Sequence, residues 1–116
     1  KWDIRPTIQE ILIGLEQGRD RSELARAFHE TVAAGLAEAA IRIARDWELD
    51  RVALSGGCFA NRLLLASLAR RLQAGGLKVY ANRLVPTGDG GVSLGQAVCA
   101  ATRMANAANR AAGTGV

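Results

Sequence analysis

Aromatic residues are scarce, only 4% of this 116-residue chain. A core without them has to be built from Leu, Ile, Val and much Ala, which implies closely packed helices. Cysteine is also rare: Cys58 and Cys99 stand apart and form no Cys-x-x-Cys pair. That excludes a disulfide framework and a zinc ribbon, and a reducing cytoplasmic setting is expected. A single histidine, His29, leaves no His pair for a metal within the chain. No apolar run is long enough to cross a membrane, and no signal-peptide pattern opens the sequence. Basic residues give a formal net charge of +4 without any Lys/Arg run or aromatic ladder, so no nucleic-acid partner is expected. The charge suits an acidic ligand such as a nucleotide, or it merely solvates helix faces. The P-loop pattern, a strand-borne Gly-x-Gly-x-x-Gly and Gly-x-Ser-x-Gly are all missing, which disfavours P-loop, Rossmann and hydrolase-elbow chemistry.

What is present reads as one globular domain, with 49% hydrophobic and 22% charged residues. The chain opens Lys1-Trp2-Asp3 without a Met, so a fragment of something longer is expected. Ile8, Ile11, Leu12 and Leu15 recur at helical spacing and predict a helix over 6–17, with Pro6 at its start and Gly18 as a left-handed cap. Asp20 with Glu23 three residues on forms a capping box for a second helix over 21–46. Leu24, Phe28, Val32, Leu36, Ala40, Ile43 and Trp47 form its apolar stripe, and Gly35 marks a close approach of another backbone. Val52-Ala53-Leu54 is a short buried strand. A helix over 61–74 carries Leu64, Leu65, Leu68 and Leu72 inward, and Gly75-Gly76 ends it. A second strand runs 77–81, parallel to the first by a right-handed crossover. A last helix over 91–106 would bury Leu94, Ala97, Val98, Cys99 and Ala101, and 107–116 reads as a frayed tail. Two parallel strands are a poor sheet alone, so the missing strands are expected before Lys1 or in a second chain, with dimerisation as one outcome.

Two strand–glycine–helix junctions carry the candidate chemistry. Ligands of open α/β sheets sit at the carboxyl ends of the strands, and both junctions lie there. Gly56 and Gly57 let a ligand approach the backbone, and helix N-H groups favour a phosphate. Asn61 could meet a base or ribose edge, or simply cap the helix. Asp89, between Gly88 and Gly90-Gly91, could ligate a divalent cation or act as an N-cap. One carboxylate cannot hold a metal, so its partners would come from outside the chain. His29, a lone helix histidine beside Phe28, reads as structural. Cys58 reads as small and buried.

At these residues the chain resembles a known family. Ser55-Gly56-Gly57-Cys58-Phe59-Ala60-Asn61-Arg62 is similar to a Ser-Gly-Gly-x-Phe-x-Asn-Arg segment of the hydrogenase maturation carbamoyltransferases, the HypF family. Asp89-Gly90-Gly91-Val92-Ser93-Leu94-Gly95-Gln96 resembles its Asp-Gly-Gly-x-x-Leu-Gly-Gln segment, and Phe28-His29 its Phe-His motif. The resemblance implies the C-terminal lobe of a threonylcarbamoyl-transferase-like domain with an actin/sugar-kinase/Hsp70 (RNase H-like) fold. It covers the chain as a single unit, in the order helix, helix, strand, helix, strand, helix, the rest of the sheet lying elsewhere. It implies a carbamoyltransferase using ATP and carbamoyl phosphate. Carbamoyladenylate would form, and its carbamoyl group would pass to the C-terminal cysteine of a HypE-like maturation partner, to become a cyanide ligand of nickel–iron hydrogenase. Gly56, Gly57 and Asn61 would contact the nucleotide. Asp89 would ligate a divalent metal (Mg, Zn or Fe) with two histidines of the absent lobe. Cys58, Ala60 and Gly88 depart from the family pattern, Gly88 loosening the loop before Asp89. Two other readings stand beside this one. The first is a helical interaction module for acidic partners. The second is a threonylcarbamoyl transferase for tRNA, against which Ser55-Gly56-Gly57 and Leu94-Gly95-Gln96 argue.

Overall fold

The computed structural model describes residues 2–113, with side chains through residue 108. Helix α1 spans Arg5–Glu16 and α2 Arg21–Asp46. Strand β1 (Arg51–Leu54) leads through a 3-10 turn, Gly57–Ala60, into α3 (Arg62–Ala74). Strand β2 (Lys78–Ala81) leads through a second 3-10 turn, Asp89–Gly91, into α4 (Val92–Gly113). The expected order of elements is therefore present. The strands pair in parallel, from Arg51 opposite Lys78 to Leu54 opposite Ala81.

Local chemistry explains most boundaries. Asp20 caps α2 by accepting the Glu23 N-H at 3.1 Å, as the capping box requires. The same C-terminal lock closes three helices. Arg19 N-H reaches Gly14 O at 2.9 Å, Leu49 N-H reaches Ala44 O at 2.7 Å, and Leu77 N-H reaches Leu72 O at 3.1 Å. Each lock needs a left-handed residue, and Gly18, Glu48 and Gly76 supply it with φ of 71°, 53° and 87°. Glu48 is the one non-glycine among them.

The core lies between α2, α3 and the sheet. Leu54, Leu64, Leu68, Leu72 and Leu77 pack against Ala33, Ala37 and Ala44 of α2. Small residues on α2 bring the helix axes close, as the lack of aromatics implied. The expected α2 stripe is thus displaced. Leu24 is buried, but Leu36, Ile43 and Trp47 lie exposed, because the buried face is the alanine face. Gly35 does meet a close neighbour, but it is the Trp2 indole ring and not a backbone. A polar pin joins the two helices: Ser67, itself buried, donates to Glu30 Oε2 at 2.7 Å, and Arg71 donates to the same oxygen at 2.7 Å. The Arg71 guanidinium, then the Ser67 hydroxyl, hold the Glu30 carboxyl below its ordinary range.

Helix α4 differs most from expectation. It runs to Gly113 where an end near Asn106 was expected, since the Ala-rich sequence beyond 106 favours helix. Fraying beyond Gly113 falls outside the described residues. Leu94, Val98 and Cys99 are exposed, so this helix has no inner face against the described residues. The molecule accordingly measures 78 × 32 × 22 Å, too long for a helix folded back on the core.

Candidate nucleotide-binding cleft

The sheet delivers both glycine junctions to one place. The Gly56 N-H donates to the Thr87 carbonyl at 2.8 Å, closing the first junction on the second. Asn82 steadies the intervening loop by donating from Nδ2 to the Pro86 carbonyl at 3.3 Å. Between them lies an open cleft of about 300 Å³ lined by Ser55, Gly56, Gly57, Asn82, Pro86, Thr87, Gly88, Asp89, Gly91 and Val92.

Two glycines here are obligatory for different reasons. Gly56 has φ 121° and ψ 158°, a region nearly closed to residues with a Cβ. At Gly91 an added Cβ would collide with the Pro86 carbonyl oxygen. Gly57 is different: a Cβ there would meet nothing within 4 Å, so its surface is open to a ligand. Among the described residues, the N-H groups of Gly57 and Cys58, and of Asp89 and Gly90, have no backbone acceptor. They form two short rows of donors, the kind of arrangement that holds phosphate oxygens.

The expected site residues do not all meet. Gly56, Gly57 and Asp89 line the cleft, and Asn61 does not. Asn61 instead caps α3, its Oδ1 accepting from Leu63 N-H at 3.0 Å and Leu64 N-H at 3.2 Å. The first-turn donors of α3 are therefore partly used, and of the 3-10 turn before it Gly57 lines the cleft. Asn61 Nδ2 donates to His29 Nε2 at 2.7 Å. That partner lies 32 residues away, and no local spacing rule could have paired them. In the sequence His29 stands out as the lone histidine and by its Phe-His resemblance, neither of which points to Asn61. Cys58 is exposed, not the buried small residue expected, because the 3-10 turn carries it along the surface.

Among the described residues, no group of three His, Cys, Asp or Glu could hold a metal ion. Asp89 alone is one hard oxygen ligand, so these residues by themselves do not make a cation site. Also among the described residues, no helix is long and apolar enough to cross a membrane.

Residues 1–96 match the family model of the carbamoyltransferase, Kae1-like domain, second subdomain. The chain belongs to this family. The carbamoyltransferase HypF of Rhizobium leguminosarum bv. viciae is 46% identical over 95 residues, which are 81% of this chain and 12% of that protein. A crystal structure of full-length HypF in its phosphate- and nucleotide-bound form superposes with a TM-score of 0.75 at 40% identity, covering 80% of this chain and 12% of that one. A tRNA N6-adenosine threonylcarbamoyltransferase of Trichodesmium erythraeum is 39% identical over 70 residues, 60% of this chain and 21% of that protein. The chain thus spans about an eighth of the HypF relatives it matches. Its mixed α/β build with two parallel strands is that of the HypF carbamoyltransferases' Kae1-like domain.

Proposed function

We propose that this chain is the C-terminal lobe of a two-lobed carbamoyltransferase unit and supplies one wall of its nucleotide site. The observation that carries this is the Gly56 N-H to Thr87 carbonyl bond, which unites both glycine junctions in one cleft at the carboxyl ends of parallel strands. ATP phosphates would lie over Gly57, against the two rows of unpaired N-H groups. Asn61 would act on the nucleotide through the turn it closes, since it caps α3 and stands outside the cleft lining. Asp89 would contribute one oxygen to a divalent cation whose other ligands come from the opposite lobe. Such a cation would offset phosphate charge. The substrate would be carbamoyl phosphate, whose carbamoyl group leaves its phosphate by hydrolysis and displaces pyrophosphate from ATP as carbamoyladenylate. The acceptor would be the C-terminal cysteine thiol of a HypE-like partner, which loses its proton and takes the carbamoyl group with release of AMP. By itself the chain should be inactive, because the reacting groups must be held from both lobes.

In the complete two-lobed protein, Asp89→Ala should abolish carbamoyl transfer to the partner cysteine while leaving the melting temperature unchanged. Normal transfer would refute the role of Asp89. The likeness to a tRNA threonylcarbamoyltransferase favours a second reading, in which the acceptor is an adenosine of tRNA. The HypF relative matches more of this chain at higher identity, so the thiol acceptor is preferred. Offering both acceptors to the protein separates the two. A helical module for acidic partners would instead bind polyanions with a steep salt dependence and no saturable ATP binding.

A further inference from the structure

We propose that His29 is a positioning residue for the nucleotide site, acting through Asn61; the inference rests on the nucleotide reading above. The geometry forms one directional chain of hydrogen bonds. His29 Nδ1 lies 2.7 Å from the Ala25 carbonyl oxygen, which can only accept, so Nδ1 carries the proton. Asn61 Oδ1 is taken by the Leu63 and Leu64 N-H groups, so its Nδ2, which can only donate, is what meets His29 Nε2 at 2.7 Å. The Asn61 amide is thereby fixed end for end, with Oδ1 turned to the Leu63 and Leu64 N-H groups. The edge of the imidazole is braced by Phe28, with ring centroids 5.8 Å apart at 83°.

An N-cap needs only the oxygen of Asn61. The bond to His29 does something more: it fixes the nitrogen end and ties the junction to α2, the longest packed helix. Asn61 also ends the 3-10 turn that carries Gly57, its own N-H donating to the Cys58 carbonyl at 3.2 Å. Through Asn61, then, His29 sets the turn that presents Gly57 to the cleft.

The test compares His29→Gln with His29→Asn in the complete protein, titrating AMP-PNP, a non-hydrolysable ATP analogue, by calorimetry. Glutamine can place an oxygen where Nε2 sits, whereas the shorter asparagine can reach the Ala25 carbonyl but not Asn61. The expected result is AMP-PNP binding about fivefold weaker for His29→Asn and within about twofold of wild type for His29→Gln, the net value of one hydrogen bond. Melting temperatures of the two variants should agree. Wild-type affinity in His29→Asn, equal weakening in both variants, or a shared fall in melting temperature with unchanged affinity would overturn the proposal. Absence of AMP-PNP binding by the wild-type protein would instead refute the nucleotide reading, and this inference with it.

Discussion

Replacing Gly56 and Gly57 by alanine, one at a time, should produce unlike effects, although the two residues are adjacent. Gly56 sits at φ 121° and ψ 158°, so a Cβ strains the backbone even though it would touch no atom within 4 Å. Holding a non-glycine residue there costs about 1–3 kcal/mol. If the backbone relaxes instead, the 2.8 Å bond to the Thr87 carbonyl is lost, worth about 0.5–1.5 kcal/mol. Either route destabilises by about 1–2 kcal/mol, which lowers the melting temperature by roughly 3–12 °C in a domain of this size. Gly57 begins a 3-10 turn without a positive φ and has open space around it. Alanine there should be neutral, or stabilising by up to about 1 kcal/mol through a less flexible unfolded chain. Equilibrium urea denaturation of the two variants and wild type, fitted with a common slope, measures this. Equal stability of all three, or a greater loss at Gly57, would refute the assignment of strain to Gly56 and of ligand access to Gly57.

Other outcomes follow from the packing and charges. Leu72 is fully buried at the centre of the core, so Leu72→Ala should cost about 2–5 kcal/mol by chemical denaturation. Ala33 is equally enclosed where α2 meets α3, and Ala33→Leu should cost about 1–3 kcal/mol by overpacking, which a thermal melt would register. Glu48→Gly should raise stability by about 0.5–1 kcal/mol, because it removes the left-handed strain at φ 53° after α2. Asp50 accepts from Arg51 and from Lys78, which lower its carboxyl pKa from 3.8 to about 2. A folded pKa below the unfolded one means the contribution is complete above about pH 4 and vanishes as pH falls through about 2. The stability difference between wild type and Asp50→Asn, measured against pH, should therefore close over that interval.

The α2, α3 and β1 boundaries were legible because caps and glycines mark them: Asp20 with Glu23, the Gly75-Gly76 stop, and the Gly56-Gly57 end of a short apolar run. The buried face of α2 was not. The apolar stripe pointed to the largest side chains, but close helix packing selects Ala33, Ala37 and Ala44, and hydrophobic periodicity cannot tell a face that touches α3 from one that does not. The same holds for α4: Leu94 and Val98 have helical spacing but nothing among the described residues to pack on. At the site, the glycines and Asp89 could be named from their motifs. The Gly56–Thr87 bond and the His29–Asn61 bond could not, since each joins residues about thirty positions apart and neither leaves a local pattern.

A nucleotide site with the two glycine junctions as one wall must lose affinity when that wall is filled. Its most direct test is the affinity of the complete protein for AMP-PNP with and without Gly57→Val. A Cβ at this position meets nothing within 4 Å, so a valine side chain would start into the space assigned to the phosphates. Saturable binding is expected of the wild type and at least about tenfold weaker binding of the variant, a difference of about 1.4 kcal/mol, at an unchanged melting temperature. Equal affinity of the two proteins would contradict the nucleotide reading.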